Sequence, residues 1–244
     1  GGRPVSFDDA KANGELPVTV GTRPFVGRAI NGATTEASPF WGQAGKRALR
    51  LNSPRKQLAR LGDVPFLDRP EAVSLSFFYL NLHPLTDAAT HGIVAKRSDA
   101  HGGTNYGINY NLKNDALLLY VNDGSTFRIA SYSARTVLGY RRLSHLTATF
   151  EVADAPAPDA DTDRDDLRIR LFLNGQPVKP SKVDKGAIVG ADAWLLDVDI
   201  SSLLNDAPLT LGSSTSTIEH SSGLLDEFLL YTSALSPSDA AALF

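Results

Sequence analysis

The stretch that decides the fold is the C-terminal run GLLDEFLLYTSALSPSDAAALF, residues 223–244. Its first half alternates in polarity, which is typical of a β-strand with one face against a core. Strict alternation puts Asp226 on the same face as three large apolar side chains, those of Leu224, Phe228 and Leu230. Burying an unpaired carboxylate costs several kcal/mol, so the pattern predicts that Asp226 has a cation, a set of N–H donors, or exposure at the strand's start.

The second half of the same run predicts a short terminal helix. Ser236 and Asp239 have the spacing of a capping box, and Pro237 stands at the first helical position. Three alanines and a leucine follow as helix formers. The run therefore predicts one strand, a tight break and a helix.

Short alternating segments separated by turn residues continue this pattern through the rest of the chain. Val73–Leu80, His145–Phe150 and Arg168–Leu173 are the strongest predicted strands, and Asn174-Gly175 has the composition of a tight hairpin turn. The further predicted strands are Gly92–Ala95, Tyr106–Asn111, Ala116–Val121, Phe127–Ile129, Trp194–Ile200 and Leu209–Gly212. Many strands with almost no helical periodicity predict an all-β sandwich of two antiparallel sheets, forming a single domain over residues 1–244.

Composition excludes several classes of function. The chain has no cysteine, which removes disulfides, zinc–thiolate sites and thiol catalysis. A net charge of −3 gives no sign of the excess positive charge that is typical of nucleic-acid-binding proteins. No apolar run approaches the roughly 18–20 residues that span a bilayer. Because the sequence opens GGRPVSF and contains no methionine, we expect an extracellular or periplasmic protein whose signal peptide has been removed.

Several blocks along the chain, taken in order, resemble a known family. They are VSLSFF (73–78), IVAKRSDAHGGTNYGINY (93–110), YRRLSHLTATF (140–150), RIRLFLNGQPV (168–178), LTLG (209–212) and the closing GLLDEFLLY. Their order is similar to that of laminin-G-like and pentraxin-like modules of the concanavalin A-like lectin/glucanase superfamily. Phe78 stands where that family usually has tryptophan, and the first seventy residues match only loosely. The resemblance implies a concanavalin A-like jelly-roll sandwich.

The resemblance also implies a structural calcium ion that ties the N-terminal strand to the last one. Asp226 would supply the carboxylate, and backbone oxygens would come from near Asp8 and from the Trp41–Gly45 loop. Glycine at Gly45 would let the backbone approach the ion closely. The alternative is that Asp226 accepts backbone N–H bonds without any metal.

A second acidic segment, DAPAPDADTDRDD at Asp154–Asp166, lies between two predicted strands. Its alternate-residue acids have the spacing of the first half of a calcium loop, but the glycine that such a loop needs at its sixth position is missing. A solvated hairpin tip is the favoured interpretation.

No catalytic residue is predicted. Glucanases of the superfamily carry their carboxylates as E-x-D-x-E on one strand, and that triplet does not occur. Asp197 and Asp199 are the best remaining pair, on a strand face better explained as solvated. The five histidines show no H-x-x-x-H or H-x-H spacing for a metal, and His145 is expected to pack in the sandwich.

Aromatic side chains are the remaining candidates for a binding site, since flat rings can stack on pyranose sugars. Trp41, Tyr106 and Tyr140 are the predicted ligand-binding residues. The leading hypothesis is a non-catalytic extracellular recognition module that binds a glycan or a cell-surface protein. The alternatives are a glycan-active enzyme with a non-standard site and a purely architectural domain of a larger exported protein.

Overall fold

A computed structural model of the chain describes residues 4–5, 7, 11, 14–20, 23–40, 45–62, 72–97, 104–123, 127–153, 166–184, 186–190, 192–196, 207–215 and 217–244. Over these residues the fold is a sandwich of two antiparallel sheets, which confirms the predicted all-β class. The described helices are short: a 3-10 turn at Ser53–Arg55, α1 at Ala134–Val137 and α2 at Pro237–Ala242.

Ten of the described strands form the first sheet, here called sheet A. In spatial order its main path is β16 (Ala187–Val189), β17 (Ala193–Leu196), β13 (Asp166–Leu173), β12 (Leu143–Ala153), β7 (Ala72–Asn81), β19 (Gly223–Tyr231), β5 (Arg47–Leu51) and β4 (Thr34–Ala37). Two short strands lie off this path: β1 (Pro4–Val5) pairs with β19, and β14 (Gln176–Val178) pairs with β13.

The other nine described strands form sheet B. Its order is β15 (Lys182–Asp184), β11 (Phe127–Tyr132), β10 (Ala116–Asp123), β9 (Thr104–Asn111), β8 (His91–Lys96), β18 (Leu209–Leu211), β6 (Leu58–Arg60), β3 (Arg23–Ile30) and β2 (Glu15–Val20). Neighbours β8 and β18 are distant in sequence, as are β7 and β19 in sheet A. These non-local pairings let residues from distant segments meet on one face.

The core lies between the sheets and is built from the inward side of each strand's alternation. The predicted strand pair β12–β13 forms in register from Leu146↔Leu173 to Ala153↔Asp166, so the acidic segment does connect two paired strands. Buried in this core are Phe77, Leu146, Phe150, Leu171 and Phe228. Phe78 is also buried, but on the other face of β7, where its ring lies 4.6 Å from that of His145. Residues 154–165 themselves lie outside the described part of the chain.

The last strand departs from the alternation predicted for it. A β-bulge shifts the register between Asp226 and Leu229, and Glu227 takes a left-handed backbone (φ 46°) at that point. An extra residue in one strand reverses the faces beyond it. Phe228 therefore turns into the core beside Phe77, with ring centroids 6.1 Å apart, while Asp226 faces the outside of sheet A. The prediction that Asp226 shares a face with Phe228 is wrong for this reason.

The C-terminal segment packs across the outside of sheet A. Its capping box is confirmed, since Ser236 Oγ accepts from Asp239 N and the Asp239 carboxylate accepts from Ser236 N. On the way to α2 the chain is fixed by Ser74, which donates to Ser233 O at 2.7 Å and accepts from Leu235 N at 3.0 Å. This cover explains why polar residues on the outer side of β7 are buried.

Candidate functional site

The outer side of sheet B carries a compact set of polar and aromatic side chains. Asn109 projects there from β9, because its neighbours Ile108 and Tyr110 point into the core. Phe127 begins β11 and Arg97 directly follows β8. Glu219 comes from the segment that follows β18. We call the surface formed by Arg97, Asn109, Phe127 and Glu219 the Glu219 face.

Hydrogen bonds link the polar members of the Glu219 face into one network. Ser214 Oγ donates to Asn109 Oδ1 at 2.9 Å, and Asn109 Nδ2 donates to Glu219 Oε2, also at 2.9 Å. Arg97 Nη1 lies 3.7 Å from the same Glu219 oxygen. The Glu219 and Arg97 side chains are 26% and 15% exposed, so part of each remains accessible to solvent.

Backbone contacts hold Glu219 in an unusual conformation. Its φ is 59°, in the left-handed region that residues with a side chain rarely adopt. Gly92 N donates to Glu219 O at 2.6 Å, and His91 Nδ1 donates to His220 O at 2.7 Å. A Cβ at Gly92 would lie 2.3 Å from Ser214 N, so this glycine lets the segment lie directly on β8.

Two aromatic rings border the polar network. The Arg97 guanidinium carbon lies 5.4 Å above the centroid of Phe127, whose ring is 41% exposed, and the Tyr120 ring lies 5.9 Å from it. Tyr120 fits because Gly107 has no side chain: a Cβ there would meet the Tyr120 hydroxyl at 2.6 Å. Burial raises the pKa of Tyr120 well above its ordinary value, so its hydroxyl stays protonated.

This arrangement has the chemistry of a sugar-binding surface. A carboxylate, an amide and a guanidinium offer planar acceptors and donors in fixed positions, which suit the paired hydroxyls of a pyranose or furanose ring. An exposed phenyl ring beside them supplies a flat apolar surface. Sites of this kind combine a few oriented polar groups with aromatic contact area.

The predicted ligand-binding aromatics occupy different environments. Trp41 lies outside the described residues. Tyr106 is 5% exposed and packs against Phe150 with ring centroids 5.3 Å apart, so its ring belongs to the core and its ligand role stays a prediction. Tyr140 is 47% exposed on the turn after α1, with the Arg141 guanidinium 5.3 Å from its ring centroid. The structure does not bring Tyr106 and Tyr140 together on a shared surface.

Asp226 is held by hydrogen bonds. Its Oδ2 accepts from Ser38 Oγ at 2.5 Å and its Oδ1 from Glu227 N at 2.8 Å, and the residue is 3% exposed. Calcium requires six to eight oxygens. Of the predicted ligands, Asp8 and residues 41–44 lie outside the described part, and Gly45 is described as an exposed residue with φ 91°. The described donors therefore fit a hydrogen-bonded carboxylate, and the calcium ion stays a prediction.

A histidine–carboxylate cluster that sequence analysis missed lies at the start of β8. His83 Nδ1 and His91 Nε2 lie 2.8 and 3.2 Å from the same oxygen of Asp87. Two imidazoles and a carboxylate could hold a metal ion, but one contact opposes it. Ser222 N donates to His83 Nε2, which leaves the proton of a neutral ring on Nδ1, the atom that lies next to Asp87.

The electrostatics of the His83–Asp87 pair agree with a hydrogen bond between them. Burial lowers the pKa of His83 to about 4, with a further contribution from nearby His91. Burial acts to raise the pKa of Asp87, but the Ala89 amide and the two histidines outweigh it and the pKa is lowered. A neutral His83 beside an ionised Asp87 forms a normal N–H···O⁻ contact.

The residues of the Glu219 face were not predicted from the sequence. They come from four segments separated by up to about 120 positions, and each alone resembles an ordinary solvated residue. The available signal was the pair of asparagines at positions 109 and 111 on the outer side of β9, which follow Gly107 on the same face. That signal marks a polar face without identifying its partners.

Comparison with known proteins gives fold-level relatives only. No protein-family model matches the chain, and no curated protein matches it either. Domain 4 of AbnA, a GH43 extracellular arabinanase from Geobacillus stearothermophilus solved in complex with arabinotriose, has a TM-score of 0.59 at 16% identity and covers 99% of this chain and 98% of that one.

Two further solved structures have a similar fold. The binding domain of Paraclostridial Mosquitocidal Protein 1 matches 99% of this chain with a TM-score of 0.60 and 15% identity, and this chain spans 50% of that structure. A Trypanosoma rangeli sialidase in complex with the inhibitor DANA matches 96% of this chain with a TM-score of 0.55 and 14% identity, over 31% of its own length.

These similarities show a β-sandwich fold that this chain shares with the matched domains, one of which was solved with arabinotriose. The specific laminin-G-like assignment remains a resemblance in sequence blocks. Among the described helices none is long and apolar enough to cross a membrane.

Proposed function

We propose that this chain is a non-catalytic, extracellular carbohydrate-recognition domain whose sugar contacts lie on the Glu219 face. The observation that carries the proposal is the linked set of Ser214, Asn109, Glu219 and Arg97 beside the exposed ring of Phe127. The fold comparisons support it, because similar sandwiches include a domain solved with arabinotriose. A cell-surface protein is the alternative partner.

The absence of catalysis is part of this proposal. A retaining glycosidase needs two carboxylates about 5–5.5 Å apart, and an inverting one needs them about 6.5–9.5 Å apart. Glu219 is the one carboxylate among the residues that define the face, and it already pairs with Arg97. Asp197 and Asp199 lie outside the described part of the chain. We expect no hydrolysis of arabinan or sialoside substrates by the native protein.

The proposal is tested with a glycan array, run with and without calcium, on the native protein and on Glu219→Gln. Removing the charge weakens the bonds to Asn109 and Arg97, and we expect about a tenfold or greater loss of affinity for the glycans that the native protein selects. Glu151→Gln is the matched control, because Glu151 also pairs with an arginine (Arg168, 3.4 Å) and is 33% exposed, but on sheet A. Equal binding by both variants, or no glycan bound by the native protein, would contradict the proposal.

A further inference from the structure

The segment 219–222, which carries Glu219, is held against β8 by contacts to its backbone. A left-handed residue such as Glu219 keeps its conformation only where its surroundings over-determine it. One such contact is the bond from Gly92 N to Glu219 O at 2.6 Å. Two others, at His220 and Ser222, come from imidazole rings. The buried histidines are therefore part of what holds the backbone of this segment.

The two rings belong to His83 and His91, and they have opposite roles. His91 Nδ1 donates to His220 O at 2.7 Å, because a carbonyl can only accept. Ser222 N donates to His83 Nε2 at 2.8 Å, because a backbone amide can only donate. One ring therefore supplies a donor through its Nδ1 atom, and the other supplies an acceptor through its Nε2 atom.

Packing keeps both rings in these orientations. His83 and His91 are buried, and they stack with ring centroids 3.6 Å apart. The second nitrogen of each ring lies beside one oxygen of Asp87, at 2.8 Å and 3.2 Å. Asp87 is itself fixed, since Ala89 N donates to its Oδ1 at 2.8 Å and Lys113 N donates to its carbonyl at 2.9 Å. The two rings thus form an ordered support beneath segment 219–222.

The protonation state of His83 agrees with this role. Burial lowers the pKa of His83 to about 4, so the ring is neutral at pH 7. A neutral ring that donates to Asp87 through Nδ1 keeps a lone pair on Nε2, which is the acceptor that Ser222 N requires.

We propose that His83 and His91 are positioning residues for carbohydrate recognition: they fix segment 219–222 and thereby set where the Glu219 carboxylate meets Asn109. Asn109 Nδ2 donates to Glu219 Oε2 at 2.9 Å, and such a bond weakens steeply when its geometry is disturbed. Neither ring belongs to the Glu219 face, so both act through the backbone. The consequence for glycan binding rests on the proposed function, but the position of the carboxylate can be measured without any glycan.

Amide substitutions test which nitrogen of each ring is needed. Asparagine places its side-chain amide close to where Nδ1 of a histidine lies, and glutamine places it close to Nε2. His91→Asn should therefore keep the bond to His220 O, which His91→Gln should lose. His83→Gln should keep the bond from Ser222 N, which His83→Asn should lose. The better amide differs between the two positions, and a role in packing alone would not produce that reversal.

The first measurement is the NMR signal of the Asn109 side-chain amide in the free protein, because this group donates to Glu219. His91→Gln and His83→Asn should move the signal toward its position in Glu219→Ala, in which the bond is lost. His91→Asn and His83→Gln should leave it near its native position. Each position carries the comparison by itself, so a variant that fails to fold at one of them leaves the test intact.

The second measurement is the glycan array on the same variants. We expect about tenfold weaker binding for His91→Gln and His83→Asn, and a change of less than about twofold for the other two. His145→Leu is the matched control, because His145 is also buried but lies on sheet A, where it contacts Ser76. It should change neither the Asn109 signal nor glycan binding, and melting curves check that each variant is folded.

The possible outcomes separate this proposal from the proposed function. An Asn109 signal that stays native in all four variants, or that moves equally with both amides at each position, would overturn the positioning role. The reversed order in the signal without the same order in glycan affinity would overturn a role in recognition. The reversed order with no glycan bound by the native protein would support the positioning of Glu219 and contradict carbohydrate recognition.

Discussion

Glu219 combines a strained backbone with the central position in a hydrogen-bond network. The left-handed conformation costs a residue with a side chain about 1–2 kcal/mol relative to the right-handed one, and glycine avoids that cost. Strain of this kind is common where a side chain is held for binding. Glu219 is therefore a residue at which stability and function should respond in opposite directions.

We predict that Glu219→Gly keeps or raises the free energy of unfolding while abolishing glycan binding. The expected reason is that glycine relieves the backbone strain but removes the carboxylate that Asn109 and Arg97 contact. Urea unfolding and the glycan array measure the two effects. Lys56→Gly is the control: Lys56 is an exposed residue with φ 52°, so this variant should gain stability and keep glycan binding. A destabilised Glu219→Gly that still binds glycan would contradict this account.

Asp226 tests the calcium proposal. If a calcium ion joins the first and last strands, chelation should lower the melting temperature of the native protein. Calcium at 100 times its dissociation constant adds about 2.7 kcal/mol to the free energy of unfolding, and chelation removes that contribution. The same treatment should not affect Asp226→Ala. An unchanged native melt on chelation would show that hydrogen bonds, those from Ser38 and the Glu227 amide among them, hold this carboxylate without a metal ion.

At the scale of the strand, β19 shows which features a sequence pattern can define. The alternation in Gly223–Tyr231 predicts a strand at the correct place, because period-two burial is a property of any strand against a core. The bulge at Glu227 could not be read from that pattern, since one inserted residue depends on how β7 and β1 pair with the strand. Only the structure therefore shows on which face of sheet A each side chain past the bulge lies.

Substitution of Phe228 tests the position of this bulge. The bulge places its fully buried ring 6.1 Å from Phe77, so Phe228→Ala should lower the free energy of unfolding by about 3–5 kcal/mol. Leu229→Ala is the neighbouring control, because Leu229 is only partly buried on the other side of sheet A and should cost less. Chemical denaturation of both variants checks the assignment. A larger loss at Leu229 would mean that the bulge is misplaced.

Gly92 links the packing of β8 to the geometry of the Glu219 face. Its missing side chain lets residues 213–214 lie on β8, where a Cβ would meet backbone atoms at 2.3 and 2.6 Å. We expect Gly92→Ala to cost about 1–3 kcal/mol and to weaken glycan binding, because the segment carrying Glu219 must shift. Gly27→Ala is the control, since its Cβ would mainly meet the movable end of Leu61. Unfolding curves and glycan titrations measure both effects. Equal losses of stability and of glycan affinity in the two variants would contradict the prediction.

Across the whole molecule, buried histidines make stability depend on pH. Burial lowers the pKa of His145 from 6.5 to about 4, and His83 is lowered to a similar value. The unfolded chain binds protons near pH 6.5 and the folded chain only near pH 4, so the free energy of unfolding should fall as the pH drops through this window. Above pH 6.5 these two groups should contribute no pH dependence.

Urea unfolding at several pH values between about 7 and 4.5 measures this slope. His145→Gln should reduce it, because that variant removes one of the two buried rings. A stability that rises on acidification over the same window would contradict neutral, buried His83 and His145.

The whole fold was more predictable than the site within it. All-β architecture and one antiparallel sandwich follow from local alternation and turn residues, which short segments such as Val73–Leu80 already contain. The Glu219 face depends on β8 pairing with β18 and β9, which brings Arg97, Asn109 and Glu219 together from distant positions. No local pattern contains that information.

The measurement that tests the central claim most directly is NMR chemical-shift mapping with the glycan that the array selects. Carbohydrate recognition at the Glu219 face predicts saturable shifts in the side-chain amide of Asn109 and the backbone amides of Ser214 and Phe127, and their loss in Glu219→Gln. Shifts confined to the Tyr140 turn, with these three residues unchanged, would contradict it.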